Sequence, residues 1–333
     1  MTQFKAGIAI AGSGSAAPQS VVANGDFSQW VDTSDEWIRS RTGIETRRLA
    51  GPGDSVCALA ARAGENAIAA AGIAPEELDL VILATSTPDD LFGSAVKISH
   101  AMGARNAVAF DLTAACSGFV FGLVTAAQFI YTGVYRNILL IGADVLSRWV
   151  DWDDRATCVL FGDGAGAVVI QGTSDGDRLL GFELASDGSQ NNCLNLAYKG
   201  DPRPLVNDVA VESGTYQPIT MNGREVYRFA VAKVPEIISK AMFRANLSAE
   251  DIDWLLLHQA NQRIMDAVAQ RLKIPSDKVL SNLAQYGNTS AASIPIALDE
   301  AVRSGKVKPG DIVASSGFGA GLTWGAAIFR WGK

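Results

Sequence analysis

The stretch Ala71-Gly-Ile-Ala-Pro-Glu-Glu-Leu-Asp-Leu-Val-Ile-Leu83 aligns without gaps on Ala245-Asn-Leu-Ser-Ala-Glu-Asp-Ile-Asp-Trp-Leu-Leu-Leu257, 174 residues further along the chain. Each copy has the pattern of a helix end, a short acidic turn and a continuous apolar run of strand length. Such a run is typical of a strand that is covered on both faces of its sheet. The two copies therefore predict the same helix, turn and buried strand twice.

A second pair of segments repeats in the same order. Cys116-Ser-Gly through Tyr131-Thr-Gly133 aligns with Asn288-Thr-Ser through Arg303-Ser-Gly305, at an offset of 172 residues. Each segment begins with small residues, continues as an apolar helix and stops at glycine, which commonly ends a helix. Two such blocks in one order indicate an internal duplication.

The duplication predicts the organisation of the whole chain. Strands that alternate with helices predict an α/β protein with mostly parallel central strands. We assign residues 1–175 to the first half and residues 176–333 to the second half. Only a polar turn, Gly172 to Asp177, separates the halves, so we expect one pseudo-symmetric body.

Composition limits the possible partners. Of the 333 residues, 48% are hydrophobic and 19% are charged, which excludes a disordered chain. The chain has 28 Lys and Arg against 35 Asp and Glu, a net charge of -7. This charge argues against binding to nucleic acid or to an anionic membrane, and an anionic ligand would need a local basic patch.

The cysteine and histidine content indicates neither disulfides nor a metal site. The four cysteines show no CxxC spacing, and two histidines are too few for a Cys/His zinc site. This usage suits a reducing compartment, so we expect a cytoplasmic protein. The apolar segment Gly118 to Val134 is interrupted by polar residues and is barely long enough to span a membrane, so we interpret it as a buried helix.

Cys116 is the first candidate for chemistry, because it follows an apolar run and opens the predicted apolar helix. A helix N-terminus can stabilise a thiolate by up to about 2 kcal/mol, enough to lower the cysteine pKa from about 8.5 to near 7. Free cysteine is also a common small buried residue. The residues alone leave both interpretations open.

His258 and Asn288 are the other candidates. His258 directly follows the apolar run Trp254 to Leu257, so it lies at the carboxyl end of a predicted central strand, where α/β proteins place their sites. Asn288 stands where the repeat makes it equivalent to Cys116, and equivalent helix starts can face one cavity. A structural histidine and a plain Gly-Asn-Thr turn are the alternatives.

The order Cys, His, Asn fits two classes of enzyme. One is a cysteine hydrolase of the papain kind, whose histidine and asparagine also lie downstream of the cysteine. Spacing alone does not separate it from the second class, a thioester-condensing enzyme. The Cys-Gly-Ser-Cys-Trp type of surround is absent, and a duplicated α/β layout is not the papain fold.

Six motifs are specific when taken together. They are Asp32-Thr-Ser-Asp-Glu-Trp-Ile-Arg-Ser-Arg-Thr-Gly-Ile44, Ala114-Ala-Cys-Ser-Gly-Phe119, Phe161-Gly-Asp-Gly-Ala-Gly166, His258-Gln-Ala-Asn261, Gly287-Asn-Thr-Ser-Ala-Ala292 and Phe318-Gly-Ala-Gly-Leu-Thr-Trp324. With these motifs the chain resembles, along essentially its whole length, the 3-oxoacyl-[acyl-carrier-protein] synthase III family of the thiolase superfamily. The resemblance implies a thiolase-like five-layered αβαβα fold built from two duplicated halves, and a homodimer.

The resemblance also implies a reaction without a cofactor. An acyl group, expected to be acetyl, passes from acyl-CoA to Cys116 and then condenses with malonyl-acyl carrier protein, with loss of carbon dioxide. This step initiates type II fatty acid synthesis. His258 and Asn288 would donate hydrogen bonds to the malonyl thioester oxygen as negative charge develops. A related enzyme of secondary metabolism that condenses or transfers a different acyl group is the alternative.

The remaining expected contacts come from the same resemblance. The acyl oxyanion hole would use backbone N–H groups of Cys116 and of the Gly319-Ala320 turn, where many relatives have glycine in place of Ala320. CoA would contact Trp37, Arg41, Arg155, Gly223 and Asn261. The acidic carrier protein would contact Arg228, Arg263 and Arg271, with Arg224 and Arg244 as neighbours. The acyl pocket would be shaped by Phe161, Met221, Phe318 and Phe92, the last a candidate to reach in from the partner subunit.

Overall fold

The computed structural model describes residues 7–332. Residues 1–6 of the first predicted half and Lys333 of the second lie outside the described residues. The strands are β1 (Gly7–Ala16), β2 (Val21–Ala23), β3 (Thr46–Arg48), β4 (Leu80–Ala84), β5 (Val108–Leu112), β6 (Asn137–Asp144), β7 (Gly164–Thr173), β8 (Leu179–Ser186), β9 (Leu194–Asn195), β10 (Tyr198–Val206), β11 (Val209–Tyr216), β12 (Thr220–Met221), β13 (Trp254–Leu257), β14 (Val279–Leu280), β15 (Ile312–Gly319) and β16 (Thr323–Arg330).

The helices follow the strands in alternation. The α-helices are α1 (Asp35–Thr42), α2 (Val56–Ala71), α3 (Ala95–Ala101), α4 (Gly118–Tyr131), α5 (Arg155–Cys158), α6 (Gly223–Arg244), α7 (Gln262–Leu272), α8 (Leu283–Tyr286) and α9 (Ser293–Arg303). Short 3-10 helices span Asn24–Gln29, Pro75–Glu77, Ala115–Ser117, Leu146–Arg148, Gly188–Cys193, Ala249–Asp251, Ser276–Lys278 and Ser290–Ala292.

The two large sheets have the same strand order. The first runs β5-β4-β6-β7-β1 and the second runs β14-β13-β15-β16-β8. In each sheet the first three strands are parallel and the last two pairings are antiparallel. The expectation of mostly parallel strands is therefore met for three strands of each sheet only. A parallel pairing needs a long crossover, and a turn as short as the one from β15 to β16 allows only an antiparallel pair.

The aligned stretches fold alike, as the sequence predicts. In the first copy α2 ends at Ala71 and β4 follows, and in the second α6 ends one residue before Ala245 and β13 follows. Aligned acidic residues close both turns: the Glu77 carboxylate accepts a hydrogen bond from the Ala74 N–H at 2.7 Å. The Asp251 carboxylate accepts one from the Ser248 N–H at 2.8 Å. The internal duplication is thus visible in single hydrogen bonds.

Side-chain packing arranges the sheets and helices in five layers. Alternate residues of β4 point to opposite sides: Leu80 and Ile82 pack with α4 and α9, while Val81 and Leu83 pack with α2 and α3. The second sheet mirrors this, with Leu256 packing in the same middle layer as α4 and α9, and its neighbours packing against α6 and α7. The αβαβα fold class is confirmed.

The segment Gly118 to Val134 forms the buried helix α4, and no helix within residues 7–332 combines the length and apolarity needed to cross a membrane.

The two copies approach each other closely at Gly142 of β6. A side chain at this position would collide with the carbonyl oxygen of Ala291, in the 3-10 turn that follows Asn288. Glycine is therefore required here by the close approach of two backbones.

We expect Gly142→Ala to lower the free energy of unfolding by about 1 to 3 kcal/mol, because an overpacked core must shift its backbone. Chemical denaturation followed by circular dichroism measures this change. Gly25→Ala is the matched control, since an added Cβ there meets nothing within 4 Å. Equal losses in the two variants would contradict the close contact.

Candidate active site

Cys116 lies in the short turn that joins β5 to α4. The turn depends on a left-handed residue, Ala115, with a φ of 47°, and it places Cys116 two residues before the start of α4. The end of β15 packs directly on the cysteine backbone, because a Cβ at Gly319 would lie 2.6 Å from the Cys116 nitrogen. Cys116 itself is only 8% exposed.

The expectation of a Cys116 pKa near 7 is wrong for this buried thiol. Burial is the main cause that raises the pKa of Cys116 to about 12. The nearby carboxylate of Asp144 also raises the pKa, and hydrogen bonds from Ser290 and from the Cys116 backbone oppose the shift without offsetting it. A helix dipole supplies at most about 2 kcal/mol, which does not offset the loss of water around a thiolate. The resting cysteine is therefore a thiol.

His258 leaves the carboxyl end of β13 as predicted. Its backbone N–H donates to the Ser316 carbonyl at 2.9 Å, and its ring lies edge-on to the Phe318 ring with centroids 5.3 Å apart. The ring nitrogen Nδ1 is 2.7 Å from the Ser293 hydroxyl oxygen. Burial lowers the pKa of His258 to about 3, so the imidazole is neutral at physiological pH.

Asn288 is held on both sides of its backbone. Its N–H donates to the Leu160 carbonyl and its carbonyl accepts from the Gly162 N–H, each at 2.9 Å. The side-chain oxygen Oδ1 accepts the Ser290 N–H at 2.9 Å. Because the oxygen is engaged, the amide NH2 group is the end that is free to donate.

One cavity of about 610 Å³ brings most of the predicted residues together. The predicted residues that line it are Arg41, Cys116, Phe161, Met221, Gly223, His258, Asn261, Arg263, Asn288, Phe318 and Gly319. The cysteine comes from the first copy, and the histidine and asparagine come from the second. A cysteine thiol, a neutral imidazole and a side-chain amide therefore share one largely apolar space.

The predicted CoA residues form a stack beside this cavity. The guanidinium carbons of Arg41 and Arg155 lie 4.9 Å and 4.8 Å from the centroid of the Trp37 ring. Arg155 is also anchored by a 2.6 Å hydrogen bond to the Asp32 carbonyl. Asn261, which caps α7, donates to the Arg41 carbonyl at 3.1 Å. The stack is thus tied to the cavity through α1.

Several predicted residues lie outside the cavity lining. Arg228 pairs with Glu225 at 2.8 Å, and Arg271 lines a separate groove of about 850 Å³ on the outer side of α6. Phe92 is fully exposed on the loop after β4 and does not line the cavity of its own chain. Ala320 also lies outside the lining, and it is not among the residues with positive φ, so an alanine side chain fits there.

The prediction from sequence missed the residues that support the catalytic candidates. Ser290 and Ser293 hold the Asn288 and His258 side chains, and Tyr227 also lines the cavity. Arg224, expected as a neighbour of the carrier-protein arginines, lines the same cavity. The run of small hydroxyl residues after Asn288 was the available signal. Arg244, expected as a neighbour of the carrier-protein arginines, instead pairs with Glu183 at 2.6 Å.

Among residues 7–332 no three His, Cys, Asp or Glu side chains are grouped as metal ligands.

Two segments of the chain match family models of condensing enzymes. Residues 110–188 match the model described as 3-oxoacyl-[acyl-carrier-protein (ACP)] synthase III. Residues 242–331 match the model described as the C-terminal part of the same enzyme. These segments contain Cys116 in the first case and both His258 and Asn288 in the second.

Whole-chain relatives agree with the family models. The beta-ketoacyl-[acyl-carrier-protein] synthase III of Nostoc sp. is 70% identical over 327 residues, which are 98% of this chain and 99% of the relative. The crystal structure of 3-oxoacyl-[acyl-carrier-protein] synthase III from Aquifex aeolicus has a TM-score of 0.90 at 43% identity, covering 98% of this chain and 100% of that chain. The priming beta-ketosynthase of the R1128 polyketide biosynthetic pathway has a TM-score of 0.91 at 33% identity, covering 100% and 98%. The chain therefore belongs to the 3-oxoacyl-[acyl-carrier-protein] synthase III family.

Proposed function

We propose that the protein condenses an acyl-CoA primer with malonyl-acyl carrier protein to give a 3-oxoacyl carrier protein, the first condensation of type II fatty acid synthesis. The observation that carries this proposal is the single cavity in which Cys116 meets a neutral His258 and an oriented Asn288 amide. The proposed chemistry uses a CoA thioester as substrate and needs no cofactor.

The first half-reaction is a thioester exchange. The Cys116 sulfur attacks the acyl carbonyl carbon, the bond from that carbon to the CoA sulfur breaks, and the proton of the cysteine thiol ends on CoA. The acyl oxygen carries negative charge during this step. We propose the backbone N–H groups of Cys116 and of the Gly319-Ala320 turn as its hydrogen-bond donors, since Gly319 packs on the Cys116 backbone.

The second half-reaction forms the carbon–carbon bond. The malonyl carboxylate leaves as carbon dioxide, and the electron pair forms an enolate on the carrier-protein thioester. His258 and Asn288 donate to the enolate oxygen, and neutral donors suit this charge because a carboxylate would repel it. The enolate carbon then attacks the acyl group on Cys116, and the cysteine sulfur leaves and takes up one proton.

We propose that the Trp37 stack binds the nucleotide end of CoA, with Gly223 and Asn261 along the pantetheine arm. Arg155→Ala is then expected to raise the KM for acetyl-CoA about tenfold, because a cation–π stack is worth about 1 to 2 kcal/mol. Condensation by enzyme already carrying the acetyl group should be unchanged. Steady-state and single-turnover assays separate the two quantities.

The control for this prediction is Arg105→Ala, which removes an exposed arginine that is neither stacked on Trp37 nor part of the cavity lining. A KM for acetyl-CoA that rises equally in both variants, or in neither, would contradict the role of Arg155.

We propose that the carrier protein lands at the arginine-bearing mouth of the cavity. Arg263 lines the cavity, and Arg228 and Arg271 extend the positive surface along α6 and α7.

We further propose a cytoplasmic homodimer in which the exposed Phe92 completes the acyl pocket of its partner together with Phe161, Met221 and Phe318. Leu91, the neighbour of Phe92, is also largely exposed, so two adjacent apolar side chains of this loop are available for such a contact.

A competition assay tests the proposed function. The protein is given acyl-CoA thioesters of increasing chain length together with malonyl-acyl carrier protein, and the 3-oxoacyl products are measured by mass spectrometry. We expect acetyl-CoA to be the preferred primer. Preference for longer acyl groups would favour the second candidate, a priming synthase of secondary metabolism, which the polyketide ketosynthase structure supports. Absence of any condensed product would reject both.

A further inference from the structure

The Ser293 hydroxyl is the partner of the His258 nitrogen that does not serve the cavity. Ser293 is the first residue of α9, it is 1% exposed, and it is absent from the cavity lining. Its oxygen lies 2.7 Å from Nδ1 of the His258 ring. The same oxygen accepts the backbone N–H of Gln259 at 3.3 Å.

The hydrogen bonds around the Ser293 oxygen determine which nitrogen of the His258 ring carries the proton. With the Gln259 N–H already donating to Ser293, the hydroxyl proton needs an acceptor of its own. Within residues 7–332 the one acceptor found for it is Nδ1 of His258. If Nδ1 were protonated instead, the serine hydroxyl would be buried without an acceptor, which is a costly arrangement.

The surroundings keep the ring in one orientation and neutral. The ring is fixed by the Phe318 ring on one side and by the backbone hydrogen bond of His258 to Ser316. Burial lowers the pKa of His258 to about 3, so only two neutral tautomers compete at physiological pH. The tautomer is the remaining variable, and Ser293 contacts the nitrogen that defines it.

We propose that Ser293 is a positioning residue that donates to Nδ1 of His258 and thereby places the ring proton on Nε2, which then donates into the cavity. This inference rests on the proposed role of His258 as a donor to the enolate. The turn Ser290–Ser293 would then orient both donors, because the Ser290 N–H binds the Asn288 side-chain oxygen and leaves the amide NH2 group to face the cavity.

Nitrogen-15 NMR of the histidine rings tests the tautomer directly. The chain has two histidines, and His100 is exposed on α3, so the His100→Gln variant leaves the single ring of His258. We expect a protonated Nε2 and an unprotonated, hydrogen-bonded Nδ1 at neutral pH. In Ser293→Ala we expect the protonated Nδ1 form to become populated. A protonated Nδ1 in the parent protein would overturn the proposal.

The kinetic consequence is separable from a loss of fold. Ser293→Ala is expected to slow malonyl decarboxylation about ten- to a hundredfold, since a wrong histidine tautomer disables a positioned donor, while acetyl transfer to Cys116 changes less than threefold. Ser293→Thr, which keeps the hydroxyl, should restore the Nε2 proton and most of the rate. Ser315→Ala is the matched control: Ser315 is equally buried, and its hydroxyl finds no partner among the described residues.

The outcomes distinguish this inference from the proposed function. An unchanged ring spectrum in Ser293→Ala, whatever its activity, overturns the role of Ser293. If Ser293→Ala does not fold, the spectra of the parent and of Ser293→Thr still decide the tautomer. If no acyl-CoA acylates Cys116, the proposed function fails, yet the ring spectra can still confirm or overturn the assignment of the proton.

Discussion

Incubation with acetyl-CoA is expected to add one acetyl group to the protein, on Cys116, and Cys116→Ala is expected to take up none. Without the nucleophile the acyl group has no covalent carrier, so condensation should fall by about a thousandfold or more. Intact-mass spectrometry followed by peptide mapping measures the adduct and its position.

The other cysteines provide the controls for this experiment. Cys158 is 1% exposed and Cys57 is partly buried. Neither lines the cavity. Cys57→Ala should therefore acetylate like the parent protein. An acetyl group found on any cysteine except Cys116 would refute the assignment of the nucleophile.

The second large effect is expected at the two donors. His258→Ala and Asn288→Ala should slow malonyl decarboxylation by about a hundred- to a thousandfold, the usual cost of removing one donor to a developing oxyanion. Acetyl transfer to Cys116 should fall much less, because the acyl oxygen is assigned to backbone donors. Release of carbon dioxide from malonyl-acyl carrier protein and formation of acetyl-Cys116 measure the two steps separately.

Asn282→Ala is the matched control for Asn288→Ala. Asn282 is also a buried asparagine, but its amide donates to Glu300 at 2.8 Å and it does not line the cavity. Its variant should change both steps equally, through stability alone. Equal losses of both steps in Asn288→Ala would argue against its role at the enolate.

Much of the architecture could be predicted from the sequence because it depends on local patterns of apolar and polar residues. The helix, turn and strand units around Ala71 and Ala245 follow from apolar periodicity and an acidic turn, and the structure confirms them. The positions of Cys116 and Asn288 on one cavity follow from the repeat, which makes two helix starts equivalent. The position of His258 follows from the apolar strand run that precedes it. These inferences need only residue order and the rules of α/β layers.

Other properties depend on residues that are distant in the sequence. The raised pKa of Cys116 arises mainly from burial, to which residues as distant as Gly319, about 200 positions later, contribute by packing on its backbone. Sequence patterns report a helix start, but not how deeply that start is buried. The pairing of Ser293 with His258 joins two elements 35 residues apart, and nothing in either motif specifies that contact.

The middle layer of helices determines how stiff the proposed site is. Helices α4 and α9 are mostly buried, and each begins near the cavity, α4 two residues after Cys116 and α9 five residues after Asn288. Protein interiors are close-packed and resist compression. The distance between Cys116 and Asn288 is therefore set largely by two buried helices that share one apolar cluster. Such a core keeps the distances between the site residues constant until the whole fold melts. The temperature at which activity is lost should therefore coincide with the temperature of cooperative unfolding.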